Sequence, residues 1–552
     1  MMRIGKKFIK NSLLMISLFL ACMFLIISQA GPASADPTLI TVKQDGTGDF
    51  TTIKAALATA SPGNIIEIQD SATYSEGTIY INVDNIVLRA QAGQTPLVSG
   101  EGKALNIILI DADYVTIEGL EVAYGNADLI KQENLHTGTV VRNCIVHDST
   151  GDGDEAIQLK RAVNAIVENN VTYNSREDGI SIAEGSKNSV IRNNRIENSE
   201  SLNGAIYVYY SENIIIEGNY IRNSTSANGI KIYKMENKGT SVIRRNVIAG
   251  NNFGWRTRYA QDGNAIQLYV PFEKPNEDAL LLIEHNTIDN NTSAGASHGI
   301  YWGQRTLSGV LAATPIYIRN NVISNNKGWG VWIENLSARP ADVAGAGTIN
   351  YNDVYNNAAG TIRNVLTAVM VDNNIFVDPL FVDPPYDYRL QASSPAIDAG
   401  MDVGLPYEGS APDMGAFEFD QTKPLAPSLI APENGAELLD NTPTFMWTSV
   451  TDPSGVTYQI QVDDNVDFSS PVYYAVNLVD NTHTLPDENA LLLGTYFWRV
   501  RAKDWEGNVG DWSEEWNFTV VPIGAIGALL MPLLLMLPFA LVLRRRNRRY
   551  SY

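Results

Sequence analysis

Apolar and polar positions alternate with a period of two over most of the chain, and the apolar positions are rich in Ile and Val. That is the pattern of strands with one face buried, not of helices. Between Val140 and Glu334 the alternation is punctuated by one recurring phrase, Asn-x-(Ile/Val)-x-(Asn/Gly). Its leading Asn falls at Asn170, Asn194, Asn219, Asn246, Asn286, Asn321 and Asn352, and Cys144 takes the same place in an earlier copy. The steps between these positions are 26, 24, 25, 27, 40, 35 and 31 residues. Repeats this short predict a solenoid in which each unit buries its face against its neighbours. Two or three short strands per turn, paired in parallel, would stack like residues in columns. A column of Asn then satisfies amides that would be costly to bury singly. On these repeats the stretch of roughly residues 40–420 resembles the right-handed parallel β-helix superfamily of pectate lyases, which implies an all-β solenoid.

The flanks follow from the same pattern. Residues 39–57 read as a strand, a Gly turn and a short amphipathic helix carrying Phe50, Ile53, Ala56 and Leu57, suited to closing the open end of the coil. This passage, with Tyr74-Ser75-Glu76, resembles the start of pectin methylesterases. The later Gln and Asp motifs of that family are missing, so esterase activity is not expected. Residues 376–418 resemble the closing segment of secreted β-helix proteins, with Asp378, Asp398 and Asp413 read as turn and capping groups. A Pro-rich linker, 422–432, leads to short strands over 433–521 at sandwich-like spacing. These resemble fibronectin type III or Ig-like modules, with Trp447 and Trp498 read as core residues.

The chain begins with Lys6, Lys7 and Lys10, an apolar run from Leu13 to Ile27, and Ala33-Ser34-Ala35, which predicts a signal peptide over 1–35. Its removal would take Cys22 and leave Cys144 as the sole cysteine, so no internal disulfide is expected. Residues 523–543 are apolar or small throughout and are followed by five Arg among 544–549, which predicts a transmembrane helix with a basic cytoplasmic tail over 544–552. The same pattern resembles prokaryotic sorting signals. The expected location is therefore the cell surface, by a single-pass anchor or by a C-terminal sorting system. A net charge of −21 argues against nucleic acid.

The second strand of each turn carries the candidate chemistry. Alternation sends its Ile residues inward and sets Gln158, Ser181, Tyr207, Lys231, Gln267, Tyr301 and Trp332 in an outward column. Lys160, Tyr209, Tyr233 and Tyr269 form a second column, and Glu155, Asp178, Asn203, Asn228, Asn264 and His298 lie ahead of the strands. Aromatic faces with acids, amides and Lys suit stacking on sugar rings and hydrogen bonding to hydroxyls. The expected partner is a polysaccharide, with Lys160, Tyr207, Tyr209, Tyr233, Gln267, Tyr269, His298 and Tyr301 as binding residues. The alternative is that stacked Tyr residues only stabilise parallel neighbours.

Three passages resemble family 9 polysaccharide lyases: His147 to Lys160, Asn174 to Ser181, and Asn228-Gly229-Ile230-Lys231-Ile232. The resemblance implies calcium-dependent β-elimination of a uronate polymer, with Glu155, Glu177 and Asp178 on Ca²⁺ and Lys231 as the base. Hard oxygen ligands suit that ion. The chain departs from the family pattern in having Ser181 where a calcium Asp is found, and in the extra turn Asn203–Tyr209 before Lys231. Asp148, Asp152 and Asp154 offer a structural calcium loop as an alternative, and Arg256, Arg258 and His298 are spare carboxylate binders. The competing class is a non-catalytic adhesion or envelope protein that uses the coil as a binding surface.

Overall fold

The structure, a computed structural model, describes residues 38–522 apart from 104–105, 152–154, 234–238, 255–261, 270–279, 294, 296, 305–312, 336–344, 365–368, 421, 453–454, 487–488 and 505–506. The expected signal peptide, transmembrane segment and basic tail lie outside the described residues. So do Asp152, Asp154, Arg256 and Arg258. Among the described residues no helix is long and apolar enough to cross a membrane.

The repeating unit folds as three short strands per turn. Their parallel stacking builds three long sheets of 13, 11 and 11 strands. One sheet holds the strand before each recurring Asn, such as Ile215–Glu217, and the next holds the strand just after it, such as Tyr220–Arg222. The third holds the candidate strands, in register from Ile157 through Ile180, Ile206, Ile230, Ile266 and Ile300 to Val331. The Ile and Val residues expected to face inward do so, forming one continuous core from Ile40 to Val369.

The turn between the first two sheets explains why Asn recurs. The residue just before each ladder Asn lies in the left-handed region: Asn169 at φ 56°, Asn193 at 55°, Gly218 at 66° and Arg245 at 53°. This bends the chain sharply and points the next side chain into the coil. There Asn170 donates Nδ2 to Asn194 Oδ1, and the chain of amides continues through Asn219, Asn246, Asn286, Asn321 and Asn352 to Asn374 at 2.8–3.0 Å. Each Oδ1 also accepts a main-chain N–H from the preceding turn, as Asn219 does from Asn194 at 3.0 Å. Cys144 closes the column by donating its N–H to Asn170 Oδ1 at 3.0 Å, while burial pushes its thiol up to about 12.

The helix Ile53–Thr59 caps the first turn, burying Ile53, Ala56 and Leu57, as the sequence predicts. Glu76 holds its N-terminus, accepting the N–H groups of Ile53 and Lys54 at 2.8 and 2.9 Å. The Tyr74-Ser75-Glu76 segment is therefore a helix-capping device here.

After the last turn the chain runs back along the outside of the coil. Phe381, Tyr388, Leu390, Met414 and Ala416 pack on Val247, Ala249 and Val322. Tyr388 Oη donates to Asp289 at 3.0 Å, and Ala416 N–H donates to Thr287 Oγ1 at 3.0 Å. Asp413 acts as a cap, accepting Asp398 N–H at 2.7 Å and the Phe419 N–H. The C-terminal module has a three-stranded and a five-stranded sheet around a separate core with Phe445, Trp447, Trp498 and Phe518. Its first strand, Leu429–Ala431, pairs with Trp447 and so takes up the end of the stretch expected to be linker.

Candidate functional site

The register places the outward column where alternation expects it. Gln158, Ser181, Tyr207, Lys231, Gln267, Tyr301 and Trp332 are successive neighbours across parallel strands. The expectation of a solvent face needs correction: Gln158, Ser181, Lys231, Gln267 and Tyr301 are all buried, Lys231 to 1 % exposure. Alternation assigns a side chain to a face of a sheet and does not by itself fix how exposed that face is.

Part of the column opens into a recess of about 350 Å³. Glu155, Gln158, Lys160, Ser181, Asn203, Tyr207, Tyr209, Lys231 and Tyr233 line it, with Ala183 and Glu184. It spans four consecutive strands, about 14 Å at the parallel spacing. Tyr209 and Tyr233 stack at 5.6 Å between ring centroids, and Tyr207 lies 5.9 Å from Tyr209. Lys160 reaches Glu133 at 3.4 Å and Glu184 at 3.3 Å, so the wall carries paired charges rather than a bare cation.

Six of the expected residues are thus gathered: Glu155, Lys160, Tyr207, Tyr209, Lys231 and Tyr233. Gln267, His298 and Tyr301 stand outside the recess. Gln267 accepts from Asn264 Nδ2, and Tyr301 Oη donates to Glu334 at 2.5 Å. His298 Nδ1 accepts the Trp329 N–H at 2.8 Å, and burial followed by the charge of Arg363 holds the ring down at about 4, so it is neutral at physiological pH. Tyr269 continues the second column in the backbone register with Tyr233.

Lys231 is held by a residue the sequence reading missed. Its Nζ donates to Asp262 Oδ1 at 2.8 Å, with both side chains almost wholly buried. Asn228 Nδ2 donates to the same oxygen at 3.0 Å, while Asn228 Oδ1 accepts the N–H groups of Gly263 and Asn264 at 3.2 and 3.1 Å. Asp262 belongs to the next turn, and the available signal was Asp262-Gly263-Asn264 one turn beyond Asn228-Gly229.

The acids are buried and short of partners. Glu155 Oε2, Gln158 Oε1 and Asp178 Oδ2 have no hydrogen-bond partner. Burial, then the bond to Asp128 and the charge of Asp178, raises Glu155. Burial raises Asp178 as well, against the opposing bonds from Ser201 and Gly204 and the charge of Lys231. Glu177 is engaged elsewhere, its Oε2 accepting the Leu202 N–H at 3.1 Å. Three carboxylate oxygens do not converge at Glu155, Glu177 and Asp178. Among the described residues the group whose oxygens lie within 4.8 Å of one another is Asp420, Asp452 and Asp504. At the recess itself the orphaned oxygens are one carboxylate oxygen of Glu155 and one amide oxygen of Gln158, both hard donors of the kind Ca²⁺ takes, while Asp178 lies outside the lining.

Residues 129–307 match the family model described as a right handed beta helix region. Together with the three parallel sheets, this identifies residues 129–307 as a right-handed parallel β-helix region. Among solved structures it is similar to the pectate lyase Pel9A at 15 % identity, over 71 % of this chain and 98 % of that one, with a TM-score of 0.47. It is also similar to the A-module of a mannuronan C-5 epimerase from Azotobacter vinelandii, at 16 % identity over 59 % and 94 % with a TM-score of 0.38. The catalytic unit of a GH87 alpha-1,3-glucanase from Streptomyces thermodiastaticus is similar at 16 % identity over 64 % and 70 %, with a TM-score of 0.39. No curated protein matches the chain.

Proposed function

We propose that this chain engages a uronate-containing polysaccharide along the recess between Lys160 and Lys231. The supporting observation is that one cavity gathers three Tyr rings, two Lys and Glu155 across four strands. The Tyr faces would stack on sugar rings, and Lys160 would exchange Glu133 and Glu184 for carboxylates of the polymer. A rigid ladder of strands presents these groups already ordered, which lowers the cost of binding. The protein's place is the cell surface, carried there by the N-terminal and C-terminal segments read from sequence. The C-terminal module, similar in strand pattern to fibronectin type III or Ig-like modules, serves as the spacer.

A second reading, calcium-dependent β-elimination, is favoured by the orphaned oxygens of Glu155, Gln158 and Asp178 in the neighbourhood of Lys231. These residues would hold the ion, which would neutralise the substrate carboxylate and acidify the adjacent proton. Lys231 would take that proton at Nζ. Because Nζ donates to Asp262 in this structure as an ammonium, it must first pass one proton to Asp262 or to solvent, and the neutral amine so formed can then accept the substrate proton. Asn228 and Asp262 orient the amine, and the buried position of Lys231 limits competing water.

The test is full-length protein incubated with a panel of acidic polysaccharides, with Ca²⁺ or with chelator, following unsaturated product by ultraviolet absorbance and binding by affinity electrophoresis. Binding weakened about tenfold by Tyr209→Ala is expected from loss of one stacking ring, on the order of 1.4 kcal/mol. Unaltered binding in that variant would sink the recess as the site. Chelator-sensitive product that vanishes in Lys231→Met would establish elimination, and binding without product on any polymer would leave the non-catalytic adhesion role.

A further inference from the structure

The strongest group outside the recess lies where the coil's closing segment meets the C-terminal module. Carboxylate oxygens of Asp420, Asp452 and Asp504 lie within 4.8 Å of one another. Asp420 belongs to the closing segment, Asp452 to the loop after Thr448, and Asp504 to the end of the strand Gly494–Asp504. Acids so close repel one another, and neither Asp420 nor Asp504 has a Lys or Arg at ion-pair distance among the described residues.

A second observation concerns Asp420 itself. Its side chain is 6 % exposed in the residue as a whole, Oδ1 accepts the Thr422 N–H at 2.6 Å, and Oδ2 is buried with no hydrogen-bond partner. A buried carboxylate oxygen left open is costly unless something positive occupies the space before it. Asn508 ties the two sides together, donating Nδ2 to the main-chain carbonyl of Asp420 at 2.8 Å and to Asp504 Oδ2 at 2.7 Å.

We propose that Asp420, Asp452 and Asp504 form a divalent-cation site, suited to Ca²⁺, that clamps the closing segment of the coil to the C-terminal module. Three carboxylates, binding through one or two oxygens each, with main-chain carbonyls and water, supply the six to eight hard ligands this ion takes. The clamp uses residues from both units, so occupation stiffens the junction between them. It involves none of the residues of the recess and stands whether or not the polysaccharide reading holds.

The experiment uses chelator-stripped full-length protein in equilibrium dialysis against radioactive Ca²⁺, beside Asp420→Asn, Asp504→Asn and the recess variant Glu155→Gln/Asp178→Asn. The expected result is one equivalent of Ca²⁺ lost, or bound at least tenfold more weakly, in each junction variant and retained in the recess variant. Limited proteolysis of the 422–432 stretch should slow with Ca²⁺ in the wild type and not in Asp420→Asn. Wild-type stoichiometry and affinity in both junction variants would overturn the proposal, as would wild-type protein binding no Ca²⁺ beyond that lost in the recess variant. Near-ultraviolet circular dichroism confirms folding, and should Asp504→Asn fail to fold, Asp420→Asn alone decides.

Discussion

The pair Lys231–Asp262 shows how a single buried charge is tolerated in the wall of the coil. An ammonium taken out of water is costly, and here the carboxylate at 2.8 Å with the amide of Asn228 beside it offsets that cost. Removing one partner should therefore hurt more than removing both. Asp262→Asn is expected to destabilise the coil by roughly 3–5 kcal/mol, and Lys231→Met/Asp262→Asn to recover most of the loss. Chemical denaturation of the three proteins checks this, and a double variant no more stable than the single would contradict it. The sequence made Lys231 legible as an outward residue of a repeating strand because period-two alternation is strict there. It did not reveal Asp262, because a partner from the next turn is set by the path of the intervening loop. His298 and Tyr301 stand outside the recess because they belong to a turn two strands beyond Lys231, where they bond to the Trp329 N–H and to Glu334.

At the level of the repeating turn, the amide column does what its spacing in the sequence implies. Asn219 makes this concrete: Nδ2 donates to Asn246 Oδ1 and to the Ile191 carbonyl, and Oδ1 accepts from Asn194 through both its N–H and its Nδ2. Asn219→Ala would leave donors and acceptors of two neighbouring turns unmet inside the coil. A loss of about 2–3 kcal/mol is expected, against a few tenths for the exposed Asn252→Ala. Comparable losses in the two variants, measured by urea unfolding, would show that the column is not a structural spine. A second column went unread although its spacing is regular. Five residues after the first, Asn251, Asn291, Asn326 and Asn357 bond in series at 2.9 Å, and Ser224 leads into it by donating its N–H to Asn251 Oδ1. Its earlier places are held by Ser rather than Asn (Ser224, Ser199, Ser175), so no single residue type marks the repeat in the sequence. The column also bears on modification: Asn170 and Asn291 begin sequons yet are almost wholly buried as ladder members, so glycans have no access to them in the folded coil.

Across the whole molecule, three buried apolar clusters share no residue: one runs the length of the coil, one joins the closing segment to the coil's outer face, and one lies between the two sheets of the C-terminal module. This division was legible because the Asn phrase stops before the Pro-rich stretch and aromatic strands begin after it. The path of residues 376–420 back along the coil was not, since Phe381, Tyr388 and Met414 meet their partners across more than one turn of intervening chain. Separate cores predict separate unfolding. Calorimetry of chelator-treated full-length protein should show two transitions, and Trp498→Ala should lower only one of them. Trp498 is fully buried, with Phe445 at 5.0 Å and Trp516 at 6.3 Å between ring centroids, so truncation opens a large cavity worth about 3–5 kcal/mol. The coil transition should stay in place in that variant because none of its core contacts Trp498, and Asn219→Ala should move that transition alone. A single transition displaced by both substitutions would mean that the coil and the module unfold as one unit even without the cation.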